Sequence, residues 1–325
     1  MYKLLIGALL ISCVACFTGD DFDLWSKQYG KRYNNEGERA ERMNIWFHNI
    51  KYIHKTNRLG LPYKLGINEY ADITWEEFKT LKLGYAREIS IPYKYTLDKI
   101  YPESINWTAK GVVTPVKNQY SCGSCWAFST TGAVESAYAI ATGNLISLSE
   151  ENLIDCSFKY GNAGCNGGLQ TAAMKYVIDN EGIDTEKSYP LTSVFFGQCT
   201  SQKNCPCEFK RDHVGAKVSS YKSILVGNET DLQYAIKNIG PVSISIDVTK
   251  DFQFYTGGVY IASDCSTTNL NHAVLAAGFG ELNGIPYYIV KNSWGAAWGL
   301  DGYILMARGR NNMCGVATDA LYAII

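Results

Sequence analysis

The chain lacks an excess of charge of either sign. Its 30 Lys and Arg are matched by 31 Asp and Glu, a formal net charge of -1. No basic surplus offers a surface to nucleic acid, and no long charge run suits a polyanionic partner. Long apolar runs are also missing. The run from Leu4 to Val14 is too short to cross a bilayer, and no later stretch reaches about 18 apolar residues without charge or glycine, so no membrane span is expected. Internal repeats and low-complexity segments are absent. Histidine is scarce, at four residues, so few side chains can do acid–base work near neutral pH. None of the cysteines falls between residues 17 and 100.

What is present fits a globular protein. The 325 residues are 46% hydrophobic and 13% aromatic, enough for one or two domains with real cores. Lys3, the short apolar run and the small residues after it read as a secretory signal over residues 1–16, with Val14 and Cys16 flanking a cleavage site. The expectation is a soluble protein of the secretory pathway, in lysosomes or outside the cell, where disulfides persist. Two of the eleven cysteines leave with the signal. The other nine are Cys122, Cys125, Cys156, Cys165, Cys199, Cys205, Cys207, Cys265 and Cys314. Nine is odd, so at most eight pair within the chain, and one stays free or bonds to another chain.

From Glu38 to Asn57 the apolar residues Met43, Trp46, Phe47, Ile50 and Ile53 fall at steps of three and four, which predicts an amphipathic helix ended by Gly60 and Pro62. Lys64 to Asp72 alternates like a strand, Trp75 to Leu81 reads as a short helix, and Gly84 to Lys99 as an extended linker. The cysteine-rich body starts near Tyr101. Its first half is helical, over Trp126–Ala141, Ser149–Asp155 and Leu169–Asn180. After a helix at Thr230–Ile239, its second half is strand-rich, over Val242–Asp247, Ala273–Phe279, Pro286–Lys291 and Gly302–Ala307. An α+β fold with a helical lobe, a β lobe and a cleft between them follows.

Gln119 to Phe128 places Cys125 where a glycine-containing loop turns into an apolar helix. Unpaired backbone N–H groups at that end favour a thiolate, the nucleophilic form. Cys122 and Cys125 also read as a CxxC redox or zinc pair. A cysteine nucleophile needs a base. His48 and His54 lie in the N-terminal segment and His213 in the charged stretch Lys210-Arg211-Asp212, which leaves His272, at a strand start. An amide suits the imidazole's orienting partner, because a thiolate–imidazolium pair is already neutral. Asn292 is the candidate, with Trp294 beside it to keep water away. Acyl transfer needs donors for an oxyanion, and the Cys125 backbone N–H and the Gln119 side-chain amide can serve. Losing one such donor costs about 2.7–4 kcal/mol.

These boxes together, Cys122-Gly123-Ser124-Cys125-Trp126, Asn271-His272-Ala273 and Lys291-Asn292-Ser293-Trp294-Gly295, resemble those of a papain-family cysteine protease. The whole precursor resembles the cathepsin L branch. Glu38, Arg42, Trp46, Asn49, Ile53 and Asn57 fall on that family's first proregion spacing, and Gly66, Asn68, Tyr70 and Asp72 resemble its second motif. The resemblance implies a papain-like two-lobe fold, a helical lobe plus a β-barrel-like lobe, over residues 101–325. Residues 17–100 would be a mainly helical inhibitory propeptide whose linker runs through the cleft in reverse. It implies Cys125 as nucleophile, His272 as acid/base, Asn292 as its orienter and Gln119 in the oxyanion hole. Gly167 and Gly168 would pair with substrate, Trp298 would line the cleft, and Leu169, Gln170, Ser245, Leu270 and Ala273 would wall the S2 subsite over a floor at Asp319. The implied disulfides are Cys122–Cys165, Cys265–Cys314, Cys156–Cys207 and Cys199–Cys205. The rival is Cys156–Cys199, with Cys205 and Cys207 otherwise paired. Cys125 is then the unpaired thiol, and neither metal nor cofactor is implied.

Three departures from the family pattern carry information. Tyr120 stands where most members have glycine after the oxyanion glutamine. If positive φ is needed there, Tyr120 is strained and Gln119 displaced, which motivates the alternative of a catalytically weak homologue acting as a binding or inhibitory protein. Asp319 implies an S2 subsite that takes both apolar and basic residues. Residues 199–206 contain no histidine and resemble no occluding loop, which implies an open cleft and an endopeptidase acting on proteins and peptides. A transpeptidase or ligase using the same acyl-enzyme is the further rival. The expected partners are substrates, the chain's own propeptide and cystatin-type inhibitors, with the enzyme a monomer. Asn106-Trp107-Thr108 and Asn228-Glu229-Thr230 are glycosylation sequons.

Overall fold

The computed structural model describes residues 17–85, 87–88, 104–193 and 199–325. The expected signal over 1–16, most of the linker and the region of Tyr101 lie outside the described residues.

The N-terminal segment holds α1 (Gly19–Gln28), α2 (Glu36–Asn57), β1 (Tyr63–Leu65), α3 (Trp75–Lys82) and β2 (Arg87–Glu88). Asn35 caps α2, its side chain accepting from the Glu38 N–H, and a Thr74–Glu77 capping box opens α3. Phe22, Trp25, Trp46, Ile50 and Ala71 form a small core of their own. The strand expected from Lys64 to Asp72 stops at Leu65. Beyond it side chains satisfy the backbone in place of a ladder, Asn49 Nδ2 donating to the carbonyls of Ala71 and Ile73 and Trp25 Nε1 to that of Asn68.

The body opens with β3 (Ile105–Asn106) and then α4 (Cys125–Thr142), closed by Gly143 at φ 78°. There follow α5 (Glu150–Cys156), capped by Ser149, α6 (Gln170–Asp179), β4 (Ile183–Asp184), β5 (Val214–Ala216) and β6 (Ser220–Ser223). Next come α7 (Glu229–Asn238), β7 (Val242–Ile246), α8 (Lys250–Gln253), β8 (Tyr255–Tyr260) and β9 (Asn269–Leu270). The chain ends in β10 (His272–Leu282), β11 (Ile285–Lys291), β12 (Tyr303–Ala307) and β13 (Ala320–Ile324). The main sheet runs β1-β8-β12-β11-β10-β7-β13-β6, with β3 on β10. Among the described residues its end strands do not pair with each other, so the β lobe stays open and forms no closed barrel.

Strand β7 joins the two lobes. Val242, Ile244 and Ile246 enter the β-lobe core, while Ser243 Oγ meets Ser129 Oγ of α4 at 2.6 Å and Ser245 Oγ accepts from Gln170 of α6 at 2.9 Å. The alternation predicted for this strand thus separates two buried faces rather than core and solvent. The propeptide extends the β lobe. Its β1 pairs antiparallel with β8, and its Tyr63, Leu65, Tyr70 and Phe78 belong to the β-lobe core.

Among the described residues four disulfides are present, Cys122–Cys165, Cys156–Cys207, Cys199–Cys205 and Cys265–Cys314. Among these residues Cys125 is the free cysteine. No helix among the described residues is long and apolar enough to cross a membrane.

Candidate active site

Cys125 is the first residue of α4 and His272 the first of β10, so each stands where its lobe's central element begins at the cleft. They meet because Cys125 Sγ accepts the backbone N–H of Ala273, next to the histidine, as well as that of Gly84 from the propeptide. His272 Nε2 lies 2.8 Å from Asn292 Oδ1. That oxygen also accepts the Ser293 N–H at 2.8 Å, and a backbone N–H can only donate. The amide orientation is thereby fixed, His272 Nε2 carries the proton, and Nδ1, without a hydrogen-bond partner, holds the lone pair. The Trp294 ring covers the pair, its centroid 4.8 Å from that of His272.

Gln119 belongs to the same network. Its Oε1 accepts from Ser293 Oγ at 2.6 Å, and its Nε2 donates to the carbonyls of Cys122 at 2.8 Å and of propeptide Lys82 at 3.0 Å. Tyr120 does adopt φ 47°, yet Gln119 keeps all these partners.

Burial sets the protonation of the precursor. It pushes the Cys125 thiol up to about 11, although backbone N–H groups of Ala273, Gly84, Trp126 and Cys125 itself pull the other way. It pushes the His272 imidazole down to about 4, against the Asn292 bond and aided by the Lys82 cation. The thiolate expected from the helix start is therefore overridden here by desolvation. Between those values both groups are neutral.

Propeptide residues Lys82, Gly84, Tyr85, Arg87 and Glu88 lie along the cleft. Lys82 Nζ donates to the Tyr120 carbonyl at 2.8 Å. Gly84 offers its carbonyl to the Gly168 N–H at 3.0 Å, and a Cβ on Gly167 would lie 2.6 Å from that oxygen. The Tyr85 N–H donates to the Asn271 carbonyl at 3.2 Å, and its hydroxyl donates to Asp319 Oδ2. Arg87 and Glu88 pair with Leu270 and Asn269 of β9.

Most residues singled out in the sequence thus gather around one groove. Leu270 and Ala273 belong to the same buried cluster as Tyr85, and Leu169 packs against it. Gln170 bonds Ser245, and the Ser245 N–H donates to the Asp319 carbonyl at 2.9 Å. Trp298 is buried in the precursor. It is 1% exposed, stacked on Phe252 behind Trp294, which is itself covered by Phe78 of the propeptide. Sequence reasoning missed Ser293 as the clamp on Gln119, and Lys82 and Tyr85 as the side chains that fill the groove. Only the place of Lys82 beside the linker and of Tyr85 within it hinted at them. It also missed the buried cluster beneath the site, where Lys117 Nζ binds Glu135 at 2.8 Å and Glu150 at 2.7 Å.

A free thiol and an amide-held imidazole at the meeting of two lobes, masked by the chain's own N-terminal segment, define a thiol enzyme held in an inactive form. The family described as "Papain family cysteine protease" matches residues 101–324, and the "Cathepsin propeptide inhibitor domain (I29)" matches residues 22–78. Cysteine proteinase 3 of Solanum lycopersicum is 47% identical over 94% of this chain and 84% of its own length. Thiol protease aleurain of Arabidopsis thaliana is 45% identical, with the same two shares. Digestive cysteine proteinase 1 of Homarus americanus is 40% identical over 98% of this chain and 99% of its own. Among solved structures, digestive procathepsin L 3 of Tenebrio molitor larval midgut superposes with a TM-score of 0.82 at 36% identity, covering 94% of this chain and 98% of that one. The chain belongs to the papain family of cysteine proteases, and with its propeptide inhibitor domain it is a zymogen.

Proposed function

We propose that removal of residues 17 to about 100 releases a cysteine endopeptidase of cathepsin L-like specificity over residues 101–325. The observation that carries this reading is the Lys82 carbonyl oxygen, 3.0 Å from Gln119 Nε2. A peptide carbonyl already sits on the donor that a substrate's oxyanion would use.

With the cleft open, the burial that keeps the thiol and imidazole neutral is relieved, and the proton of Cys125 passes to His272 Nδ1. Sγ attacks the scissile carbonyl carbon. The oxyanion that forms is held by Gln119 Nε2–H and the Cys125 N–H. His272 gives its Nδ1 proton to the leaving amine as the C–N bond breaks, leaving a thioester on Cys125. It then takes a proton from water, whose oxygen attacks the thioester and returns the thiol. Asn292 holds the ring plane throughout. Gly167 and Gly168 pair with the substrate backbone, opposite in direction to the propeptide. Leu169, Gln170, Ser245, Leu270, Ala273 and Asp319 form the S2 subsite.

The apolar run at Leu4–Val14 and the four disulfides support passage through the secretory pathway, to lysosomes or outside the cell. The monomer takes proteins and peptides as substrates, and its cleft suits cystatin-type inhibitors.

Acid treatment of the purified precursor, followed by intact mass and peptide hydrolysis, tests the proposal. Loss of mass to near Tyr101 and cleavage within peptides are expected, and Cys125→Ala should abolish cleavage. An intact but unreactive protein after propeptide loss would favour the binding-protein reading motivated by Tyr120.

A further inference from the structure

The bridge Cys199–Cys205 differs from the other three in its loop and its neighbours. It spans 6 positions of sequence, against 43, 51 and 49 for the others. Folding stabilises a bridge most where it closes a long loop, so this one gains least. Cys199 and Cys205 line a cavity of about 190 Å³, together with Asp155, Tyr189, Thr192 and Ser193 among the described residues. That is room for about six waters, or for one small organic molecule. Asp155 Oδ1 lies 3.4 Å from Cys199 Sγ. A disulfide sulfur has no hydrogen, so a hydrogen bond across this contact is donated by the carboxyl in its protonated form. The surroundings favour that form. Asp155 is buried, and burial pushes its carboxyl up to about 7. The Tyr189 hydroxyl opposes this, donating to Oδ2 at 2.6 Å, and the carboxylates of Glu151 and Glu208 add to it. In the neighbouring bridge Cys156 Sγ faces the Asn152 amide at 3.2 Å instead, and an amide is no acid.

We propose that Cys199–Cys205 is a thiol–disulfide exchange site for a small-molecule thiol, with Asp155 as the acid that protonates the departing sulfur. The chemistry belongs to the helical lobe and does not depend on proteolysis. A thiolate enters the cavity and attacks Cys205 Sγ. The S–S bond breaks, and its electron pair stays on Cys199 Sγ. Asp155 Oδ1 gives its proton to that sulfur. The products are a mixed disulfide on Cys205, a Cys199 thiol and an Asp155 carboxylate, to which the new thiol can donate in return. The neighbours set the direction. Cys205 Sγ has the Asn204 amide oxygen at 3.4 Å, which carries no proton, so Cys199 is the sulfur that can leave as a thiol. A second thiol attacks the small molecule's sulfur in the mixed disulfide and releases Cys205, which takes its proton from water. The bridge is then reduced, and two small thiols are oxidised to their own disulfide. The loop also braces the cleft wall, because the Cys199 carbonyl accepts the Cys165 N–H at 2.6 Å.

The test uses full-length Cys125→Ala precursor, in which neither the free thiol nor proteolysis interferes. The protein is exposed to mercaptoethanol, quenched at intervals with an alkylating agent and mapped by peptide mass. Cys199 and Cys205 should take up label about ten-fold faster or more than the cysteines of the other bridges, since a placed acid speeds a step by about 10²–10⁴. A mixed disulfide on Cys205 should be the first product. Divided by thiolate concentration, the rate should fall about ten-fold between about pH 6 and 8, as Asp155 loses its proton. Asp155→Asn should slow the reaction and flatten that profile. Tyr189→Phe removes the donor on Oδ2 and keeps the acid, so it should move the fall to higher pH. A merely structural role for Asp155 would leave the fall where it is. Simultaneous reduction of all the bridges, or earlier attack on another, would overturn the exchange site. A flat wild-type profile, or one unchanged in Asp155→Asn, would overturn the role of the acid.

Discussion

Gly84 of the propeptide lies so close to Gly123 that a Cβ built on Gly84 would overlap the Gly123 carbonyl oxygen. The obstructing atom is backbone, held by the Cys122–Cys165 disulfide beside it and by the Gly123 N–H bond to the Cys165 carbonyl at 3.0 Å. It cannot swing aside as a side-chain end would. This glycine is what lets a peptide pass directly over the thiol.

Gly84→Ala is therefore expected to lift the propeptide off the cleft at a cost of about 1–3 kcal/mol, typical of overpacking. In Gly84→Ala precursor at neutral pH, Cys125 should react with a small alkylating agent about ten-fold faster than in wild type or more. Equal labelling rates would show that the close approach does not hold the segment down.

The protonation state of the masked pair gives a second prediction. Burial raises the thiol to about 11 and lowers the imidazole to about 4, so both are uncharged between those values. Thiolate appears in the precursor only as pH climbs through about 11. At pH 7 it should amount to about one part in ten thousand. The ultraviolet thiolate band should be absent from intact Cys125→Ala and wild-type precursor alike, and appear in wild type alone once the propeptide leaves. Near neutral pH, opening moves a proton from sulfur to nitrogen within the pair and releases none to solvent, so these two groups do not themselves make opening pH-dependent there. A full thiolate band in the intact precursor would sink the burial argument.

Tyr120 supplies a third. A left-handed backbone costs a non-glycine residue about 1–2 kcal/mol, and glycine returns about 0.5–1 of that through the unfolded chain. Tyr120→Gly should raise unfolding stability by up to about 1 kcal/mol in denaturant titration. Gln119 is held by Ser293 and Cys122 whatever residue follows it. The change in kcat/KM should thus stay under about three-fold, far from the factor of about 10²–10³ that a lost oxyanion donor costs. A ten-fold gain would mean that Tyr120 does displace the amide.

The lobes were legible because each rests on a local signal: helical spacing and a cap for α2 and α5, glycine-bounded alternation for β7 and β10. The second proregion motif misled as a strand because, past Leu65, side chains such as Asn49 and Asn68 satisfy its backbone groups in place of a neighbouring strand. Strand β13 escaped notice because it is short and paired between β7 and β6, far away in sequence. At the site, residue type alone singled out Cys125 and His272, since few cysteines or histidines competed. Ser293, Lys82 and Tyr85 are common residues whose roles exist only through partners 174, 38 and 234 positions away. No local pattern can carry that information.

Lys82 supports a last prediction. Its ammonium is buried, bonded to the Tyr120 carbonyl and 4.9 Å from the centroid of the Tyr70 ring. Burial pulls it down to about 8 from its ordinary 10.5, with Glu69 opposing and Lys31 adding to the effect. The docked propeptide therefore binds fewer protons than the released one between about pH 8 and 10.5. Docking must strengthen as pH rises through that window and be indifferent to Lys82 below it, where the residue is charged in both states. The full span is on the order of 3 kcal/mol. Tyr52, Tyr63 and Tyr70 oppose this near their ordinary value of 10, because burial raises each of them in the docked form. The clean interval is thus about 8 to 9.5. The measurement uses Cys125→Ala precursor nicked near Tyr101, with propeptide affinity followed by titration calorimetry across that interval. Wild type should tighten about ten-fold or more. Lys82→Met, which keeps the aliphatic stem without the charge, should stay flat and bind at least as well at pH 7. A flat wild-type profile would show that the lysine finds water or a counter-charge in the cleft, and that its desolvation does not limit how firmly the precursor is closed.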